Sequence, residues 1–219
     1  MVLPRPPRAV VFDMDGLLFD SEKLYRAGVV AAIAAHGREL PDAFYTSVVG
    51  MSGEAIQNAF RSQLGDDFDF TSLWKMAGEH VNALIDAELR LKTGVIELLD
   101  HLDALKLPRA IATSSRHQTV ERYLASHDLR GRFDAVIAQG DYARGKPFPD
   151  PYLKAAERLG LAPEDCIALE DSHHGVRAAA SAGMMTIMVP DLVAPSDEME
   201  ALCVTIARDL HVVRRLIPD

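Results

Sequence analysis

Apolar residues along this chain follow two different patterns, and the change between them divides it into regions. Ala9 to Phe12 is an unbroken apolar run that stops at Asp13, which predicts a strand buried on both faces of a parallel sheet. From Ser21 to Arg90 strand signals almost vanish. Apolar positions at helical spacing there predict helices over Leu24 to Ala35, Ala55 to Leu64 and Trp74 to Leu91. Beyond Thr93 and Gly94 the two patterns alternate. Val95, Leu98, Leu99, Leu102 and Leu105 keep helical spacing, and Pro108 separates them from a strand at Arg109 to Ala112. The alternation continues through a helix near Val120 to Ser126, a strand at Ala135 to Ala138, a helix from Pro151 to Leu159, a strand at Cys166 to Leu169, a helix over Val176 to Ala182 and a strand at Thr186 to Val189. The expected fold is α/β, a doubly wound parallel sheet covered on both faces, with an all-helical segment inserted after the first strand. Residues 1–20 and 92–219 form the expected core, and residues 21–91 the insert.

Length and composition narrow the class. The 219 residues suit one large domain or two small ones, and 48% hydrophobic with 25% charged residues excludes a disordered or fibrous chain. Subtracting 32 acidic from 23 basic residues leaves −9, a charge that repels a phosphate backbone, so nucleic acid is not an expected partner. The longest apolar run, Val29 to Ala35, ends at His36 and Gly37 and falls far short of the roughly 20 residues a membrane helix needs. Pro4, Pro6 and Pro7 interleave with Arg5 and Arg8, where a signal peptide would have an apolar core. A cytoplasmic, membrane-free monomer is expected. Cys166 and Cys203 are too few for a disulfide framework and lack metal-ligand spacing; both are expected to act as small, partly buried hydrophobes.

A doubly wound sheet places its site beyond the carboxyl ends of its strands, so the polar residues at those exits carry the chemistry. Asp13-Met14-Asp15-Gly16 sets two carboxylates two residues apart as the first strand leaves the core. One can attack phosphorus and form an aspartyl-phosphate, and the other can protonate the leaving alcohol and then activate water. An acidic turn that merely ends a strand would read the same way. Thr113-Ser114-Ser115 ends a second strand immediately before an expected helix from about Arg116, which suits phosphate binding and equally suits helix capping. Gly145-Lys146-Pro147-Phe148-Pro149-Asp150-Pro151 is a proline-stiffened loop. Its lysine has a fixed reach toward Asp13 and an incoming phosphate, unless it is a solvated surface lysine; Asp150 with Pro151 reads as a helix cap. Glu170-Asp171-Ser172 ends a further strand, where adjacent acids suggest Mg²⁺ or, again, capping. Charge favours the metal: Asp13, Asp15, Glu170 and Asp171 face Lys146 alone, and without a divalent cation that surplus would repel an anionic substrate.

Taken in order, Phe12-Asp13-Met14-Asp15-Gly16-Leu17-Leu18-Phe19-Asp20-Ser21, the Thr113 exit, Gly145-Lys146-Pro147 and Leu169-Glu170-Asp171-Ser172 resemble the four motifs of haloacid dehalogenase-like phosphohydrolases. The resemblance implies a Rossmann-like core, Asp13 as nucleophile and metal ligand, and Asp15 as general acid/base whose backbone carbonyl also binds metal. It implies Thr113 and Ser114 as phosphate binders, Lys146 as charge neutraliser, and Asp171 as Mg²⁺ ligand, with Glu170 as a further ligand or a support behind it. It also implies that the insert is a mobile cap hinged near Asp20 and Thr93.

Dehalogenases of the family lack the second aspartate, which is present here as Asp15. Phosphonoacetaldehyde hydrolases use a cap lysine and an alanine where this chain has Gly53 and Asp15, and β-phosphoglucomutase-like members use an arginine and a histidine where it has Gly53 and Tyr25. Arg26, Arg61 or Lys75 could supply the missing cation. Asp20-Ser21-Glu22 matches a turn common in sugar-phosphate and nucleoside-monophosphate-like phosphatases. The expected protein is therefore a phosphatase of a small phosphorylated metabolite, with a mutase as alternative. A phosphorylatable receiver domain, or a binding protein without turnover, is the alternative of another class, although receivers are shorter and carry their acidic pair on the first strand. His173-His174 is expected partly on a helix surface. Trp74, Met76 and Val81 are expected to pack a helix face, and Gly50-Met51-Ser52-Gly53 is a candidate specificity loop.

Overall fold

The structure, a computed structural model, describes residues 3–51 and 53–218. In chain order its elements are β1 (Ala9–Phe12), α1 (Glu22–Ala35), α2 (Asp42–Val48), α3 (Gly53–Leu64), α4 (Phe70–Glu88), α5 (Val95–Leu105), β2 (Arg109–Arg116), α6 (His117–Ser126), β3 (Ala135–Gln139), α7 (Asp150–Leu159), β4 (Cys166–Glu170), α8 (His173–Ser181), β5 (Met185–Met188), α9 (Asp197–Leu202), β6 (Thr205–Ile206) and α10 (Leu210–Leu216). The strands form one parallel sheet in the order β3-β2-β1-β4-β5-β6. The chain reverses direction across the sheet at β1, which is the point where doubly wound sheets open a crevice. Among the described residues no helix is long and apolar enough to cross a membrane.

The unbroken apolar runs are explained by the two faces of the sheet. Val10, Phe12, Ile111, Ile167 and Leu169 point into one core cluster, and their neighbours Ala9, Val11, Ala110, Ala112, Cys166 and Ala168 point into the other. The second face is built from small residues, so Tyr152, Ala155 and Ala156 of α7 and Ala178 and Ala179 of α8 pack against it. Cys166 is buried there and Cys203 is half-buried, both as free thiols.

Helices α1 to α4 follow β1. Ala32, Ile33, Val48, Phe60, Phe70, Leu73 and Ala77 give them a cluster of their own, while Leu24, Val81 and Ile85 join the core of the sheet. A Cβ on Gly28 would lie 2.4 Å from Val81 Cγ2, so a side chain there would force α1 and α4 apart. The two chain segments joining the helices to the sheet run side by side. Asp20 N–H donates to the Arg90 carbonyl and Lys92 N–H to the Leu18 carbonyl, both at 2.9 Å.

The structure departs from the sequence expectations at several ends. Helix α6 follows at His117 as expected, but β2 runs on through Thr113–Ser115 to Arg116, so the three hydroxyls stand on the extended strand and no side chain caps the helix. Asp150 does not cap α7; its carboxylate instead accepts from the Arg144 backbone and guanidinium. Helix α4 begins four residues before Trp74 because Asp69 caps it, accepting from Ser72 N–H at 3.0 Å. The short elements α2, α9, β6 and α10 were not anticipated: none is longer than seven residues, too short to set up a periodicity.

Candidate active site

The register of the sheet brings the polar exits level. Phe12 pairs with Leu169 on one side and Ile111 on the other, and Asp13 N–H donates to the Leu169 carbonyl at 2.9 Å. Asp13 therefore leaves β1 beside Glu170 on β4, with Thr113 just beyond on β2. Asp13 and Asp15 line one cavity with Thr113, Ser114, Lys146 and Asp171; Glu170 lies behind it, fully buried.

Lys146 is no surface lysine. It is 6% exposed, and its ammonium sits 2.5 Å from both Asp13 Oδ1 and Glu170 Oε1. Burial opposes its charge, but Asp13 and Glu170 outweigh that and hold its pKa above the ordinary lysine value. Glu170 has no capacity left. Its Oε1 also accepts from the Tyr152 hydroxyl at 2.5 Å, and its Oε2 accepts from the Asp171 and Ser172 backbone N–H groups and the Ser172 hydroxyl. Ser172 in turn caps α8, accepting from Gly175 N–H. Capping and an inward-facing acid coexist in one turn.

Asp15 is held between two hydroxyls: Ser21 donates to Oδ1 at 2.8 Å and Ser115 to Oδ2 at 2.7 Å. Burial raises its pKa, and these two hydrogen bonds work against that rise. Thr113 Oγ1 accepts from Ser115 N–H at 3.0 Å, and Ser114 Oγ is buried without a hydrogen bond of ordinary geometry. A buried hydroxyl left in this state is poised for a ligand oxygen.

The acids here fit a hard divalent cation. Asp13, Glu170 and Asp171 bring carboxylate oxygens within 4.8 Å of one another, an all-oxygen set suited to Mg²⁺. Asp171 is 2% exposed, and its carboxylate accepts no hydrogen bond among the described residues. Burial first, then the neighbouring carboxylates, push Asp13 and Asp171 well above the usual carboxylate range. Such crowding is what a cation would relieve. Glu170 is committed to Lys146, Tyr152 and its own turn, whereas Asp171 and the second oxygen of Asp13 accept no hydrogen bond among the described residues. Gly16 makes room for this arrangement: its φ is +83°, and a Cβ there would lie 2.3 Å from Asp171 Oδ2.

Three residues that the sequence named without assigning them these roles belong to the site. Ser115 and Ser21 orient Asp15, and Glu22 lines the cavity, where burial and the Asp15, Asp13 and Asp191 carboxylates push it up to about 8. The Asp20-Ser21-Glu22 turn carried that signal. Trp74 and Val81 serve both as helix packing and as cavity wall, while Met76 packs without lining it. Tyr25 also lines the cavity, its hydroxyl 3.0 Å from that of Tyr123. Gly50 and Met51 of the candidate specificity loop line the cavity, whereas Ser52 lies outside the described residues. His173 and His174 are half-buried beside a separate cavity of about 140 Å³, with His173 Nε2 2.8 Å from the Ala194 carbonyl oxygen. The cations that could have served a second phosphate are elsewhere: Arg26 pairs with Asp42, the Arg61 guanidinium stacks over Phe70 at 4.9 Å, and Lys75 is exposed.

Residues 10–189 match the family model for haloacid dehalogenase-like hydrolases. The chain is 35% identical over 190 residues to a probable pseudouridine-5'-phosphatase of Drosophila melanogaster, covering 83% of this chain and 80% of that protein. It is 31% identical to hexitol phosphatase B of Escherichia coli, covering 90% of each. Among solved structures it is similar to a putative beta-phosphoglucomutase from Thermotoga maritima, with a TM-score of 0.76, 27% identity, and coverage of 95% of this chain and 99% of that one.

Proposed function

The chain belongs to the haloacid dehalogenase-like hydrolases and is a phosphoric monoester hydrolase; on that footing we propose that it is a Mg²⁺-dependent phosphatase of a small phosphorylated metabolite, acting through an aspartyl-phosphate on Asp13. The observation that carries this reading is the Asp13, Lys146 and Glu170 chain of contacts beside an oriented Asp15.

Asp13 attacks phosphorus, and the bond to the ester oxygen breaks. Asp15 gives that oxygen a proton, so the product leaves as a neutral alcohol. Ionised again, Asp15 takes a proton from water as the water attacks the aspartyl-phosphate, which releases inorganic phosphate and regenerates Asp13. The two serine hydroxyls hold the Asp15 carboxyl in one orientation for both transfers. Thr113 and Ser114 bind phosphoryl oxygens, and Lys146 supplies positive charge beside the attacking carboxylate. Asp13, Asp171 and the Asp15 backbone carbonyl would hold Mg²⁺, which when bound contributes charge stabilisation at the phosphoryl group. Helices α1 to α4 serve as a cap over the strand ends, hinged where the paired segments near Asp20 and Lys92 meet, and its closure excludes water.

Hydrolysis is favoured over a mutase reaction by the cavity wall. A mutase must grip a second phosphate while the intermediate turns over, and among the described residues no lysine, arginine or histidine of α1 to α4 lines the cavity. Phosphate release from a panel of phosphate monoesters, measured with Mg²⁺ and with chelator, tests the reading. Turnover should stop on chelation and return with Mg²⁺, and Asp13→Asn should lose at least about four orders of magnitude in rate. Full activity after exhaustive chelation, or a tenth of it in Asp13→Asn, would overturn the proposal.

A further inference from the structure

The cavity above the strand ends holds about 420 Å³, a volume typical of sites for whole small molecules, and its two ends differ in chemistry. The sheet end is the phosphoryl site just described. The far end is walled by Val29, Val48, Ile56, Phe60, Trp74 and Val81. Phe60 and Trp74 meet edge to face there, with ring centroids 5.0 Å apart. Of the polar residues that α1 and α2 contribute to the lining, Tyr25 is paired with Tyr123, while the side chains of Glu22 and Tyr45 have no hydrogen-bond partner among the described residues. Glu22 stands at the boundary between the ends, its Cγ 3.2 Å from where a Gly16 Cβ would be.

Building on the phosphatase reading, we infer that the substrate is a monophosphate ester whose leaving group has a short hydroxylated part, held by Glu22, and an uncharged planar part that fills the apolar end. That is the shape of a nucleoside monophosphate. A second phosphate would enter an apolar chamber beside Asp13, Asp15 and Glu22, where among the described residues no lysine, arginine or histidine of α1 to α4 lines the wall. An open-chain polyol would leave hydroxyls facing valine, isoleucine and phenylalanine, where water is lost and nothing replaces it. A flat ring loses little there: its faces lie against aliphatic and aromatic surface, and Tyr45 offers one donor to an edge heteroatom.

The test compares kcat/KM for phosphate release by the wild-type protein with Mg²⁺ on uridine and adenosine 5'-monophosphates, sorbitol 6-phosphate, fructose 1,6-bisphosphate and 4-nitrophenyl phosphate. At least one nucleotide should exceed sorbitol 6-phosphate about tenfold and the bisphosphate about a hundredfold; a smaller margin for both nucleotides overturns the inference. Hydrolysis of 4-nitrophenyl phosphate tells the two failures apart. If it proceeds and the nucleotides are not preferred, the substrate inference alone falls; if no ester is hydrolysed, the phosphatase reading falls and takes the inference with it. Glu22→Gln, nearly isosteric at a carboxyl without hydrogen bonds, should raise KM for the preferred nucleotide about fivefold with a smaller change in kcat. An unchanged KM would remove Glu22 from substrate recognition.

Discussion

Replacing Glu170 by glutamine separates a supporting acid from a metal ligand. The side chain is fully buried, and its two oxygens accept from five donors: Lys146 Nζ and the Tyr152 hydroxyl on one side, and two backbone N–H groups and the Ser172 hydroxyl on the other. Glutamine has nearly the same shape but exchanges one acceptor for an NH₂ donor. Turned toward Lys146, the NH₂ faces two donors and the ammonium keeps Asp13 as its one anionic partner. Turned the other way, it faces the Asp171 and Ser172 backbone. Breaking a buried ion pair costs about 3–5 kcal/mol, and because the amide oxygen still satisfies one side, the lower end of about 3 kcal/mol applies. For a chain of this size that lowers Tm by roughly 6–12 °C. Thermal unfolding followed by circular dichroism in EDTA measures it. Repeating the melt with saturating Mg²⁺ then reads ligation, since binding to the native state alone adds stability by mass action. Wild type and Glu170→Gln should gain the same increment, because Asp13 and Asp171 are unchanged. A variant within about 2 °C of wild type in EDTA would refute the buried-network reasoning, and a lost Mg²⁺ increment would make Glu170 a ligand.

Gly16→Ala should cost about 1–2 kcal/mol from the positive φ and push Asp171 aside, so the Mg²⁺ concentration for half-maximal rate should rise; an unshifted Mg²⁺ titration counts against Asp171 as ligand. With β-glucose 1-phosphate and catalytic glucose 1,6-bisphosphate, any turnover should appear as inorganic phosphate without glucose 6-phosphate, and rapid isomerisation would promote the mutase alternative. Crystals with and without a phosphate mimic should differ by a rotation of residues 21–91 about Asp20 and Lys92; identical positions, free of lattice constraint, would argue against a closing cap.

The sequence by itself determined the alternating core and the polar residues that stand at the strand exits. Ala9–Phe12 was legible as a strand because it is apolar on both faces, and α1, α3 and α5 because their spacing persists over three turns or more. The acids, hydroxyls and lysine of the site were legible because each closes or follows a local pattern. Only the tertiary structure decided which of them touch. Lys146 and Asp13 are 133 residues apart, and no local pattern could tell a lysine between two carboxylates from a solvated one. Chain folding likewise brought Ser115 to Asp15 across 100 residues, put Glu22 in the cavity wall, and sent Arg26 and Arg61 to other partners. The physical reason is one of range: periodicity and propensity act within a few turns of chain, whereas burial, hydrogen bonding and charge at a site depend on strands and helices that the sheet order makes neighbours.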